Sequence, residues 1–320
     1  MKIEKDVFNS GIFGINMGNI IEYSPEDSNK EISETIQKSC VEGYDHLAVK
    51  IAADNNRLVN CFLGEGFYIV DSQVTFVIDV HLMGAELQKH NKNTTVSFHE
   101  IANEREKNFI TTISKKAFTN DRFHSDFFLP KERANQYYMK WSNNCCEGLS
   151  DKVYVLTMND KLIGYITLSF EEKNAIVGLA AITPEFRGKG MFSELIKHTI
   201  GELFDSGKER LFYGTQLSNS PVLSTMRGVD GRVFRCNHVL HYIKRNLHSS
   251  NHSVYKRVDN VEVTSDEKNN LYELTKEGFH LEETGIKFST GKRQILSDGM
   301  DCVKSMPNDG KVMGGYYLLI

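Results

Sequence analysis

The chain has 320 residues, 40% hydrophobic and 25% charged, with a formal net charge of −4. That size and balance describe an ordinary globular protein of two domains, or of one domain with additions. They give no general reason to expect nucleic-acid binding, and no run of eighteen apolar residues marks a membrane span.

In chain order, residues 47–51 read as a strand and 55–65 as a helix closed by Gly66. Residues 67–80 read as strand, turn and strand. The polar stretch 90–95 is a plausible boundary between domains. Beyond it, 100–118 has helical spacing, and 130–144 makes a second helix with Pro130 near its start. Residues 153–157 and 161–170 form a hairpin around Asn159 and Asp160. A third strand, 175–183, leads into a Pro-marked turn and then Arg187, Gly188, Lys189 and Gly190. Helical spacing resumes over 192–205, followed by a strand at 210–214, a helix from about Asn219 and a strand at 233–243. In the last seventy residues, 264–276 reads as a helix, and 285–290 and 313–320 as strands.

Three negatives narrow the chemistry. The start, Met1 to Asp6, lacks the apolar core of a signal peptide. The six cysteines (Cys40, Cys61, Cys145, Cys146, Cys236 and Cys302) have no C-x-x-C or metal-like spacing. The eleven histidines form no H-x-x-x-H pair. The expectation is a cytoplasmic protein with free thiols, no metal, no nucleic-acid partner and no membrane.

The segment 175–196 carries the most chemistry. Backbone N–H groups of a glycine loop that opens a helix form a ready anion site. Arg187 and Lys189 add positive charge, while Gly188 and Gly190 let a phosphate approach the backbone closely. The loop is neither G-x-x-x-x-G-K-[ST] nor G-x-G-x-x-G. It resembles the acetyl-CoA signature R/Q-x-x-G-x-G/A of the GNAT superfamily of N-acetyltransferases. Arg187 and Gly190 fill the first and fourth places, and Phe192 stands at the sixth. The element order over 95–247 agrees with that fold.

Further motifs narrow the resemblance. Residues 122–126 (Arg-Phe-His-Ser-Asp), 136–143 and 214–219, with 8–16 and 47–55 near the N-terminus, are similar to the TDP-fucosamine N-acetyltransferases. The resemblance implies an α+β GNAT fold with a mixed, V-splayed central sheet over 95–247. A smaller α/β domain precedes it over 1–90. There Asn55, Phe62, Gly66 and Phe67 echo the second half of an acetyltransferase unit. The extension 250–320 has no assigned role. It either covers the active-site mouth or builds a subunit interface, which leaves a homodimer open.

The same resemblance implies transfer of an acyl group, acetyl or 3-hydroxyacyl, to the amine of a dTDP-linked dideoxyamino sugar of the kind used for surface polysaccharides. The donor would be acetyl-CoA or 3-hydroxybutyryl-CoA. It assigns Ala180, Ala181, Ile182, Arg187, Gly188, Lys189, Gly190, Met191, Phe192 and Asn219 to CoA. The Ala181 N–H would serve as oxyanion donor, a contribution of a few kcal/mol in a dry cleft. Arg122, Phe123, His124 and Tyr138 are the sugar-side candidates. His238, His241, Glu171 and His124 are open as the base. The superfamily often places a proton-donating Tyr seven residues after the Asn; Met226 stands there and cannot donate. Ser224 or Thr225 could substitute through a water, or no acid is used. Two further readings stay open: a protein or small-amine N-acetyltransferase, and a non-catalytic acyl-CoA-binding regulator.

Overall fold

The computed structural model describes residues 1–87 and 96–244, with the backbone of two further strands, Tyr255–Val258 and Tyr316–Leu319. Two compact units divide the chain, Met1–Lys244 and Arg245–Ile320. The polar boundary at 90–95, the helix at 264–276, the strand at 285–290 and Cys302 fall outside the described residues.

The first unit begins with β1 (Lys2–Lys5), α1 (Val7–Phe13), β2 (Met17–Glu22), α2 (Asn29–Val41), β3 (His46–Ala52), α3 (Asn56–Gly64), β4 (Tyr68–Asp79) and α4 (Val80–Leu87). It continues with β5 (Val96–Glu100), α5 (Glu104–Ala117), α6 (Lys131–Asn144), β6 (Lys152–Met158), β7 (Lys161–Glu171) and β8 (Asn174–Ile182). The remaining elements are α7 (Met191–Asp205), β9 (Arg210–Gln216), α8 (Ser220–Gly228) and β10 (Arg232–Ile243). In the second unit, β11 (Tyr255–Val258) pairs antiparallel with β12 (Tyr316–Leu319). No helix among the described residues is long and apolar enough to cross a membrane.

Local chemistry sets most boundaries. The side chains of Asp6, Asn55 and Asn103 accept from the third amide of α1, α3 and α5, satisfying donors that a helix start leaves free. Ser28 and Glu31 close a reciprocal capping box on α2. Asn159 and Asp160 take positive φ of 48° and 59°, the two-residue turn expected between β6 and β7. Residues 67–80 differ from expectation. They form one strand without a turn, because the segment has no Gly or Pro to reverse it. β10 and β9 pair along its two edges. The first residue of the expected 100–118 helix, Glu100, ends β5, and the helix starts only after the Asn103 cap.

All ten strands join one mixed sheet in the order β1-β2-β3-β10-β4-β9-β8-β7-β6-β5. β10, last in sequence, lies between β3 and β4, so residues 1–87 and 96–244 share one sheet. The α+β class and mixed sheet agree with the expected fold. One face packs on α7 and α8 through Leu195, Ile196, Ile200 and Val222, and on α2 and α3 through Ile32, Leu58 and Phe62. Each such fully buried side chain contributes about 1.5–3 kcal/mol. The other face meets α5 and α6 through Ile110, Ile113, Tyr137 and Tyr138.

Candidate active site

β8 and β9 run parallel and pair only where Asn174, Ala175 and Ile176 meet Arg210, Leu211 and Phe212. Past that point they part. Residues 180–182 stay paired with β7 and residues 213–216 with β4. A cleft of about 810 Å³ opens between them. The glycine loop lines one part of it, and residues 117–123 with α6 line another.

Register decides which backbone groups are free there. Thr183 N donates to Ile163 O at 2.8 Å, and Tyr165 stands opposite Ala181. In an antiparallel ladder such groups alternate between neighbours, so the Ala181 N–H and C=O face β7. Ala180 and Ile182 turn theirs to the cleft, and the Ile182 carbonyl accepts from Arg187 Nε at 3.0 Å. The oxyanion role expected of the Ala181 amide therefore does not fit its direction; the Ala180 amide has the right one. A bulge between the Ile166 and Leu168 pairings breaks the ladder just before this point. There Thr167 Oγ1 accepts the Leu179 N–H at 2.9 Å.

Beyond β8, a 3₁₀ turn (Pro184–Phe186) leads to Arg187. Gly188 and Gly190 take φ of +72° and +78°, and a Cβ on either would meet open space. Gly190 caps the fifteen-residue α7 without any side-chain acceptor. The first-turn amides therefore carry the helix's partial positive charge without a side-chain partner, the arrangement that holds a phosphate. Arg187, Gly188, Gly190 and Phe192 line the cleft, as do Ala180, Ala181, Ile182 and Asn219. Asn219 caps α8 and its Nδ2 donates to Thr215 Oγ1 at 3.1 Å. Lys189 is exposed, with its Nζ 5.4 Å from the Phe186 ring centre. The Met191 side chain is buried in the core, so only its backbone is available to a ligand.

The part of the cleft lined by residues 117–123 and α6 combines aromatic and polar groups. Arg122, Phe123 and Tyr138 line it with Phe118, Tyr137 and Trp141. The Arg122 guanidinium lies 4.5 Å from the Phe123 ring centre, within cation–π range. His124 is not a lining residue. Its Nδ1 is hydrogen-bonded to the buried Asp121 carboxylate and its Nε2 meets Asn135 Oδ1 at 3.0 Å. Burial works against the charged ring, but Asp121 and Asn135 hold its pKa above the ordinary histidine value. A ring with both nitrogens engaged orients the lining rather than accepting a substrate proton. Burial lifts the Tyr137 phenol to about 12 and Tyr138 well above its usual value, so both stay neutral donors.

Four expected catalytic groups sit elsewhere. His238 is on the sheet face opposite the cleft. Asn237 is paired with the cleft-lining Gln73, and side chains alternate along a strand. His238 Nδ1 instead meets Ser72 Oγ at 2.8 Å. Ser224 is exposed, and Thr225 is the hydroxyl of that turn that lines the cleft. Met226 is fully buried. His241 is buried and cannot reach a substrate; Glu171 ends β7 and is exposed.

His241 belongs to a cluster that sequence spacing does not show. Its Nδ1 donates to Asp126 Oδ2 at 2.6 Å. Tyr68 Oη donates to the same carboxylate at 3.1 Å, and His46 Nε2 lies 3.8 Å away. Burial and the neighbouring His46 push His241 down to about 3 despite Asp126. Burial works against the Asp126 carboxylate, but its interactions with His241 and His46 together hold it ionised, well below the ordinary carboxylate range. His46, Asp126 and His241 are also the set among the described residues whose ligand atoms converge as a metal site would need, within 4.8 Å of one another. The short Asp126–His241 contact is a hydrogen bond whose proton fills the space between those atoms. The cluster ties the loop carrying Arg122 and Phe123 to β3, β4 and β10.

Residues 116–227 match the model of the Acetyltransferase (GNAT) family. A stretch of 110 residues is 27% identical to the spore coat polysaccharide biosynthesis protein SpsD of Bacillus subtilis (strain 168). That match covers 34% of this chain and only 38% of the relative. A functionally unknown conserved protein from Staphylococcus epidermidis is similar in fold, with TM-score 0.54 and 13% identity over 76% of this chain and 92% of that one. So is a glucosamine N-acetyltransferase region of a fungal multi-domain β-N-acetylglucosaminidase, with TM-score 0.52 and 14% identity over 75% of this chain and 31% of that one.

Proposed function

We infer that this chain, which carries a GNAT acetyltransferase domain over residues 116–227, transfers an acyl group from acyl-CoA to an amine. One observation carries the reading. The backbone edge that Ala180 turns to the cleft leads directly to a glycine-opened helix start with no side-chain cap, a track shaped for a pantetheine amide chain ending in a pyrophosphate. The acceptor nitrogen, unprotonated, attacks the thioester carbon while the Ala180 N–H receives the developing oxyanion. The C–S bond then breaks, sulfur leaves as the CoA thiolate, and the ammonium proton passes to solvent. Thr225, which lines the cleft, would stand in for the missing tyrosine through a water.

The acceptor we propose is a dTDP-linked dideoxyamino sugar, with acetyl- or 3-hydroxybutyryl-CoA as donor. The similarity of residues 122–126, 136–143 and 214–219 to the fucosamine acyltransferases supports it. So does the likeness to a polysaccharide biosynthesis protein. A sugar amine flanked by C–O bonds titrates below the ~10.4 of a lysine ammonium, so no strong base is required. Arg122, Phe123 and Tyr138 would contact the sugar, with His124 positioning them. Acyl-CoA and nucleotide sugars are cytosolic metabolites, and we place the protein in the cytoplasm.

The test is thiol release from acetyl-CoA and 3-hydroxybutyryl-CoA against dTDP-linked 3-amino and 4-amino dideoxy sugars. Release with one sugar and not with a lysine peptide is expected. CoA binding without release by any amine would overturn catalysis and leave an acyl-CoA-binding regulator.

A further inference from the structure

The sheet face at the acceptor end of the cleft gathers cations from three distant parts of the chain. Lys50 on β3 stands directly opposite Val239 on β10, which stands opposite Asp71 on β4. The neighbouring row runs Ala52, Asn237, Gln73 and Gln216. Arg235 lies two residues further along β10, on the same face by alternation. Arg122 reaches over this floor from the loop above, and Lys50, Gln73, Gln216 and Arg122 all line the cleft. The hydrophobic character expected beneath a packed helix is missing here, and a polar, positively charged floor replaces it.

The protein balances these cations only in part. Among the described residues, none of Lys50, Arg122 and Arg235 forms an ion pair within 4.0 Å. Burial pushes the Lys50 ammonium down, Arg122 and Arg235 repel it further, and Asp71 offsets this only in part. Asp71 is itself held above the ordinary carboxylate range by burial. The neighbouring Asp121 is already committed to His124. Arg122 is half-buried, while Lys50 and Arg235 are exposed beside it, and an anion entering the cleft is the partner that these neighbouring cations lack.

We propose that Lys50, Arg122 and Arg235 form a phosphate-binding subsite, so that the amine acceptor carries a phosphate or diphosphate. The proposal rests on the nucleotide-sugar acyltransferase reading and assigns residues to the acceptor's diphosphate. Sheet order supplies a scale. β3 is three strand spacings from β9, roughly 14 Å at about 4.8 Å each. With the amine beside the thioester at β9, a hexose ring and its glycosyl phosphate span that interval. Arg122 and Arg235 would meet the phosphate nearer the sugar and Lys50 the farther one. Arg187 and the start of α7 remain with the CoA pyrophosphate, so two separate anion sites serve two substrates.

Calorimetric binding of thymidine diphosphate, with desulfo-CoA at saturation to occupy the glycine loop, tests the subsite without requiring turnover. Wild type should bind, Lys50→Met and Arg235→Ala should each weaken binding about tenfold, and Lys50→Arg should restore most of it. Inorganic pyrophosphate as a second probe separates recognition of the diphosphate from recognition of the nucleoside. In the acyl-transfer assay the same variants should raise KM for the dTDP-amino sugar with kcat within twofold. They should leave the poorer reaction of the free amino sugar unchanged. Absence of thymidine diphosphate binding to wild type, or equal binding by the variants, would overturn the subsite whether or not acyl transfer occurs. Normal diphosphate binding with no acyl transfer to any amine would instead sink the acyltransferase reading.

Discussion

Gly190 shows how much one position can hold. At φ of +78°, an alanine there costs about 1–2 kcal/mol in the left-handed region, and its Cβ would enter space that a phosphate needs. Gly190→Ala should raise the acyl-CoA Kd at least tenfold and lower Tm by a few degrees, measured by calorimetry and thermal melting. His124 offers a second reading at this scale. Its raised pKa is stabilising below the ordinary value of ~6.5, and that stabilisation is lost as pH rises through the folded value. In Asp121→Asn the ring should titrate at or below ~6.5 by NMR, and the pocket walls should loosen. A ring that titrates unchanged would show that Asp121 does not hold it.

At the scale of elements, the bulge between β7 and β8 sets the direction of the backbone groups that follow it. Thr167→Val keeps the shape but orphans the buried Leu179 N–H, costing about 1–3 kcal/mol. Urea denaturation should register that loss, and kcat should fall because the Ala180 amide shifts. A variant with lowered stability and unchanged kcat would separate the bulge from the oxyanion position. The glycine loop was legible in the sequence because its chemistry is local: Arg187, two glycines and the helix start lie within a few residues. The one-residue choice between Ala180 and Ala181 was not, because it depends on which side of β8 finds a partner. His238 was misplaced for the same reason, since a single step along β10 moves a side chain to the other face. The unbroken β4 was obscured by polar residues at 71–73, which form no turn: Asp71 and Gln73 are on the cleft face and Ser72 bonds His238 on the other.

For the molecule as a whole, the sheet order makes the N-terminal strands part of the same folding unit as residues 96–244. A fragment of residues 96–244 would leave β9 without β4, and β10 without both its neighbours. It should not fold cooperatively, as judged by circular dichroism and amide dispersion. A well-folded fragment would show that residues 1–87 are an accessory. The buried Asp126–His241 pair joins the same parts of the chain and makes stability depend on pH. His241 binds its proton near 6.5 when unfolded but only at about 3 when folded. Stability is therefore present above 6.5 and lost as pH falls through that window, by up to ~1.4 kcal/mol per unit. The urea midpoint should drop between pH 7 and pH 4, and His241→Asn should flatten the dependence. None of this was visible from histidine spacing, because His46 and His241 meet only through pairing between β3 and β10.

The place of β10 also bears on how the protein is made. β3 and β4 are synthesised early, yet the strand that belongs between them is completed only at Ile243. During translation the first half of the sheet must wait with two unpaired edges while some 160 residues follow, roughly 10–30 s at ordinary elongation rates. Contacts so distant in sequence form slowly, and open edges invite pairing with other chains. Folding of this protein is thus expected to be concerted and late. A ribosome-bound chain stalled before Arg232 would remain protease-sensitive throughout its N-terminal half, and release past Ile243 would protect both halves together.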